Sequence, residues 1–152
     1  MTRRFPVALA ALTLCCGRPA EGERWIAVAR EAHQAADDAL ARGDAAGARE
    51  ALRRVVELRA PEAVAPDDRR AVLQDAFFRL AYVELDQARP AAALDWAERG
   101  LRQRSVDVFT ANLLLARGRA LEALGDGARA AADYYDALRI HDELLQRALE
   151  ER

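Results

Sequence analysis

Lysine is absent from this chain of 152 residues; all 23 of its basic residues are arginine. Cysteine is confined to Cys15 and Cys16, so beyond them no disulfide can form and no cysteine-based metal site can be built. Serine occurs once, at Ser105, and histidine twice, at His33 and His141, far apart in the chain. That scarcity leaves no Ser/His/Asp constellation, and neither a glycine-rich phosphate loop nor a His-Glu-x-x-His motif is present. The acid pairs Asp37-Asp38, Asp67-Asp68 and Glu150-Glu151 read as solvated helix faces or ends. We therefore expect no enzyme, and no metal or other cofactor. β-branched residues are sparse and scattered, which disfavours a sheet. The formal charge of −2 gives no surplus of cations for a phosphate backbone, so nucleic acid is not an expected partner.

What remains is a chain rich in Ala, Leu, Arg and Glu, 52% hydrophobic and 32% charged, the composition of packed amphipathic helices. Its length fits one domain. The apolar spacing turns helical from about Glu23. Trp25, Ala29, Ala32, Ala36 and Leu40 lie near one face, and Arg42-Gly43-Asp44 ends that helix. A second helix runs from Ala45 to Leu58, with Ala48, Leu52, Val55 and Val56 apolar. Pro66-Asp67-Asp68 opens a third, reaching about Gln87, because proline fits the first helical position and acids suit the positive dipole end. Arg89-Pro90 opens the fourth, to about Leu101. Ser105 or Asp107 can cap the fifth, which stops at Gly125, and Asp126 opens the sixth, towards Leu149. In the sixth, Leu144, Leu145, Ala148 and Leu149 form an apolar stripe that can cap the fold or mediate a homodimer.

The first residues are a separate segment. Arg3 and Arg4 precede a ten-residue apolar run, Phe5 to Leu14, interrupted only by Thr13. Such a run is too short to cross ~30 Å of hydrocarbon as a helix and has the layout of a secretory signal. Leu12-Thr13-Leu14-Cys15 then resembles the lipobox of bacterial lipoproteins, with Cys16 as the second possible acceptor because Cys15 is the smaller residue at the cut. The resemblance implies a signal over residues 1–15, acylation of Cys15 or Cys16, a tether over 16–23 and a domain over 24–152. An ordinary cleaved signal, or an uncleaved anchor, is the alternative. The residue after the acceptor is Cys16 or Gly17, not the Asp that holds some lipoproteins at the inner membrane. The resemblance thus implies the periplasmic face of the outer membrane.

The second helix of each pair carries a matching phrase, five residues after Gly43, Ala88 and Gly125: Ala48-Arg49-Glu50-Ala51-Leu52, Ala93 to Leu101, and Ala130 to Leu138. Small residues Ala36, Ala81 and Gly118 sit mid-way along the first helices. These positions resemble the tetratricopeptide repeat (TPR), over roughly residues 25–140. The first unit departs from the pattern at Ala32 and Val55, where a large and a small residue are expected. The intervals of 45 and 37 residues between the turn positions exceed the usual 34; about three added helical turns would absorb the first excess and keep the same faces inward. The implied fold is all-α: three antiparallel hairpins, over about 24–60, 66–103 and 106–150, stacked as a short right-handed solenoid. The residues alone also suit a non-repeat helical bundle.

In such a stack the first helices line a concave groove. Its positions map onto Arg30, His33 and Asp37; Asp75, Phe78, Tyr82 and Asp86; and Asn112, Leu115, Arg119 and Glu122. Of the residues that clamp a C-terminal carboxylate in chaperone-binding members, only Arg119 matches, so the expected ligand is a peptide or helix lying on Phe78 and Tyr82. Those two aromatics could equally serve as core. The resemblance implies a scaffold or assembly factor of the cell envelope that binds protein; the alternative is a structural or self-associating subunit using its convex face or last helix. Intact-mass analysis of membrane-extracted protein should show a chain that begins at Cys15 or Cys16 and carries acyl groups; a bare, soluble mature chain would refute the lipid anchor.

Overall fold

A computed structural model describes residues 20–103 and 105–151, and among these residues it contains six α helices and no strand. The apolar run and the candidate acceptors Cys15 and Cys16 lie outside the described residues. The helices are α1 (Glu21–Ala41), α2 (Ala45–Glu57), α3 (Pro66–Asp86), α4 (Pro90–Leu101), α5 (Val108–Ala123) and α6 (Gly127–Glu150). No helix among the described residues is long and apolar enough to cross a membrane.

The three tight turns share one physical device. Gly43, Ala88 and Gly125 all have positive φ, at 75°, 54° and 87°. Each donates its N–H three residues back, to Leu40, Leu85 and Glu122, and the next N–H reaches five back, to Ala39, Glu84 and Leu121, all at 2.8–2.9 Å. These bonds satisfy carbonyls that a helix end leaves open. The helices that follow the glycines are capped by side chains: Asp44 accepts from the Gly47 N–H and Asp126 from the Arg129 N–H. For α5 the cap is Asp107, which accepts from the Thr110 N–H at 2.8 Å. Ser105 is committed elsewhere. Its hydroxyl joins Thr110 and the fully buried Gln74 amide of α3 in a closed network that satisfies all three groups.

Each helix packs on the next in sequence, and α3 packs on α5 as well. The contact within each hairpin is made by very small residues. Ala36 and Ala48, Ala81 and Ala93, and Gly118 with Ala130 are all buried. Closeness at Gly118 is absolute: a Cβ there would collide with the Tyr134 ring. At Gly100 a Cβ would come within 2.6 Å of Leu113 and 3.0 Å of the Phe77 Cβ. Two buried acids tie the layers. Glu84 of α3 accepts from Arg49 of α2 at 2.6 Å and from Arg89 at 2.5 Å, and Asp133 of α6 takes the forked Arg117 of α5 at 2.6 and 2.8 Å. Both are paired on both oxygens, which offsets their desolvation.

Four expectations need correction. The first helix starts at Glu21, with the Glu23 carboxylate bonding back to the Ala20 N–H, so the last residues assigned to the tether are helical. Ala39 enters the core and Leu40 is exposed: measured round the helix from buried Trp25, Leu40 lies about 60° to one side and Ala39 only about 40° to the other. The longer first interval is not taken up by whole helical turns alone: α3 exceeds α5 by five residues, α2 exceeds α4 by one, and the link 58–65 exceeds 102–107 by two. In α6, Leu144 packs on the core cluster of Ala111, Leu114, Ala137 and Ile140, and the large exposed apolar residues are Tyr135, Leu138, Leu145 and Leu149.

Ala88 is the one non-glycine residue in the left-handed region among those described, and its Cβ is strained there. Ala88→Gly should raise unfolding free energy by about 0.5–1 kcal/mol in urea titration, whereas Gly43→Ala or Gly125→Ala should lower it by about 1 kcal/mol.

Candidate partner-binding groove

Among the first helices of the hairpins, α3 packs on α5 and α1 reaches α3 through side chains, and several of the residues mapped onto a groove lie near one another there. At the end nearer the chain's start, Ile26, Ala29, Arg30 and His33 of α1, Ala71, Val72 and Asp75 of α3, and Phe109 of α5 enclose an open depression of about 430 Å³. Three of the eight, Arg30, His33 and Asp75, are groove positions read from the sequence. Ile26 and Arg30 also line a neighbouring depression of about 490 Å³, closed on its far side by Ala63, Val64 and Ala65 of the link into α3.

At the middle of the surface, α1 and α3 are joined by charge. Arg79 donates to the Asp37 carboxylate and, at 3.1 Å, to Nδ1 of His33, which lies 3.3 Å from Asp75. An arginine donating to Nδ1 requires the neutral ring to present a lone pair there. Burial is the largest influence on His33 and lowers its pKa, Arg79 lowers it further, and Asp75 and Asp37 oppose them. The surface therefore holds its one described histidine in the neutral form more firmly than water does.

Towards the turns, Phe78 and Tyr82 pack with ring centres 4.6 Å apart and ring planes tilted by 58°, and the Arg119 guanidinium of α5 sits 5.2 Å from the Tyr82 ring centre. Both aromatics are half-buried, packed on a floor of Ala81, Ala93, Ala97, Ala116 and Ala120. They are neither wholly core nor free: their inner edges rest on alanine and their outer edges meet solvent. Arg119 is exposed. Beyond it, Glu122 accepts a 2.8 Å hydrogen bond from the Tyr134 hydroxyl of α6. Burial and that carboxylate push Tyr134 up to about 12, so it remains a donor.

The other mapped residues divide. Asp86 is exposed at the end of α3, Asn112 is half-buried, and Leu115 is half-buried against the α5–α6 core cluster. The sequence reading omitted Arg79, Ile26 and Phe109. Extending the series Arg30-His33 back by four, and Asn112 back by three, would have reached Ile26 and Phe109. Arg79 stands one turn after Asp75, a spacing that signals a pair within α3 and hides the reach to α1. No family model matches the chain, and no curated protein matches it significantly.

Because the His33 pKa is lowered in the fold, the unfolded chain takes up the proton first as pH falls. The neutral ring's contribution is complete above its unfolded value of about 6.5 and is lost as pH drops towards the lower folded value. His33→Gln should flatten this part of the stability profile between pH 7.5 and 5, read by urea unfolding at each pH; an unchanged slope would show that His33 is not its source.

Proposed function

We propose that the chain is a TPR-type binding module, three hairpins stacked as a short solenoid, that holds a segment of another protein along the α1–α3–α5 surface. The helix contacts support the reading: α2 packs between α1 and α3, and α4 between α3 and α5, while α3 and α5 also pack directly on each other. So does the recurrence of the left-handed turn and the paired small residues at matching places in all three hairpins. The observation that carries it is the half-exposed, tilted Phe78–Tyr82 pair with Arg119 beside it, accompanied by apolar depressions along α1. Aromatic and arginine side chains over a dry floor are the usual anchors of an interface. Acids at Asp37, Asp75, Asp86 and Glu122 give polar edges, suited to an amphipathic or extended peptide carrying basic residues. In this proposal the module is exported and lipid-tethered at Cys15 or Cys16, and serves as a scaffold or assembly factor of the cell envelope, not as an enzyme.

Affinity purification of the tethered protein from membranes, beside a Tyr82→Ala/Arg119→Ala variant whose helicity and melting are intact, tests the groove. One envelope protein should co-purify and fall by about tenfold or more with the variant. Partners retained at full yield by the folded variant would remove this surface from the function.

A further inference from the structure

The outward side of α6 carries a second surface, independent of the groove. Ala128, Ala131, Tyr135, Leu138, Asp142, Leu145 and Leu149 are all exposed, and Tyr135, Leu138, Leu145 and Leu149 are 68, 67, 59 and 59% accessible. Their spacing alternates three and four from first to last, the spacing of a seam between two helices. The buried side of α6, with Ala130, Asp133, Ala137 and Ile140, is opposite.

The other hairpins show what this side of a second helix does. Counting from the left-handed turn residue, Leu138 stands where Leu101 stands in α4 and Val56 in α2. Val56 packs on the cluster containing Ala76 of α3, and Leu101 on the cluster containing Ala111 and Leu114 of α5. Ala131 stands where Leu94 and Arg49 stand; Leu94 packs on the cluster with Ala116 and Ala120 of α5, and Arg49 binds Glu84 of α3. In α2 and α4 this side receives a helix. Among the described residues, α6 presents the same side with no helix on it.

We infer that a second copy of the chain covers it, α6 against α6, antiparallel about a two-fold axis. Most of the stripe pairs apolar residue with apolar residue in that arrangement. With the axis near Ile140, Tyr135 of each copy falls on Leu145 of the other and Ala131 on Leu149, while Leu138 meets Asp142. The exposed Arg139 and Asp142 flank the axis with opposite charge, so each Arg139 reaches the other copy's Asp142. Arg139 now bonds to Glu143 on its own exposed helix, a pairing that water screens and a closer partner can replace. A two-fold contact uses one patch twice, which this one stripe can supply.

Sedimentation equilibrium of the full chain in density-matched detergent tests this. The unaltered chain should show a monomer–dimer equilibrium, and Tyr135→Glu/Leu145→Glu, at exposed sites, should sediment as a folded monomer. Arg139→Asp and Asp142→Arg should each weaken the dimer about tenfold or more, and the two combined should return it to within about threefold. A monomer at every concentration, or a dimer indifferent to these changes, overturns the inference. A combined variant no tighter than the single ones overturns the second copy as occupant, because only a self-paired seam exchanges both charges at once.

Discussion

The fold depends on how closely two helices approach where side chains are smallest. Ala36 and Ala48 share one buried cluster and Ala81 and Ala93 another, and at Gly118 the missing side chain makes room for the Tyr134 ring of the paired helix. Such contacts bury little area each, so stability has to come from density and repetition. The larger side chains, Leu52, Leu80, Leu113 and Val55, then fill the spaces on either side. Arginine is suited to the same architecture. Its planar fork can reach across a layer and pair both oxygens of a buried acid, as Arg117 does with Asp133, without opening the alanine contacts.

Close pairing also accounts for the exposed aromatics beside α5. Once each hairpin is drawn tight, α3 and α5 meet on one side over an alanine floor, and large side chains on that side have nowhere to sink. Phe78 and Tyr82 remain half-exposed for this reason. The α1 edge is joined to α3 by polar contacts, Arg79 to Asp37 and His33, and open apolar depressions lie along it. The surface thus changes character along its length, from aliphatic near Ile26 to aromatic and cationic near Arg119.

Much of this was legible in the residues. Helix number, turn positions and the small contact residues follow from local rules, because a glycine after a helix or an alanine every turn constrains its own neighbourhood. Ala88 was placed correctly among the turn residues from its spacing alone, although it lacks the glycine that marks the other two. The misses have another origin. Leu40 against Ala39, and Leu144 against Leu145, differ by about 100° around a helix, and which one enters the core depends on where a neighbouring helix lies. Gln74 meets Ser105 across 31 positions, and Arg79 meets His33 across 46, so neither pairing leaves a mark in local spacing. Among the mapped groove residues, Arg30, His33 and Asp75 line one depression and Phe78, Tyr82 and Arg119 stand together, whereas Leu115 packs against the cluster shared by α5 and α6.

Hairpin geometry also gives the molecule a top and a bottom. The chain enters the described fold at Ala20, the pole where the link 58–65 and residues 105–107 also lie, and a side chain on Gly22 would come to 3.5 Å from Ala63. The turns at Gly43, Ala88 and Gly125 are at the opposite pole, about 30 Å away along α1. Anything that grips the chain ahead of Ala20 grips it by its base and points the three turns outward. Tyr82 and Arg119 thus lie towards the pole of the turns, and the aliphatic recess beside Arg30 towards the base.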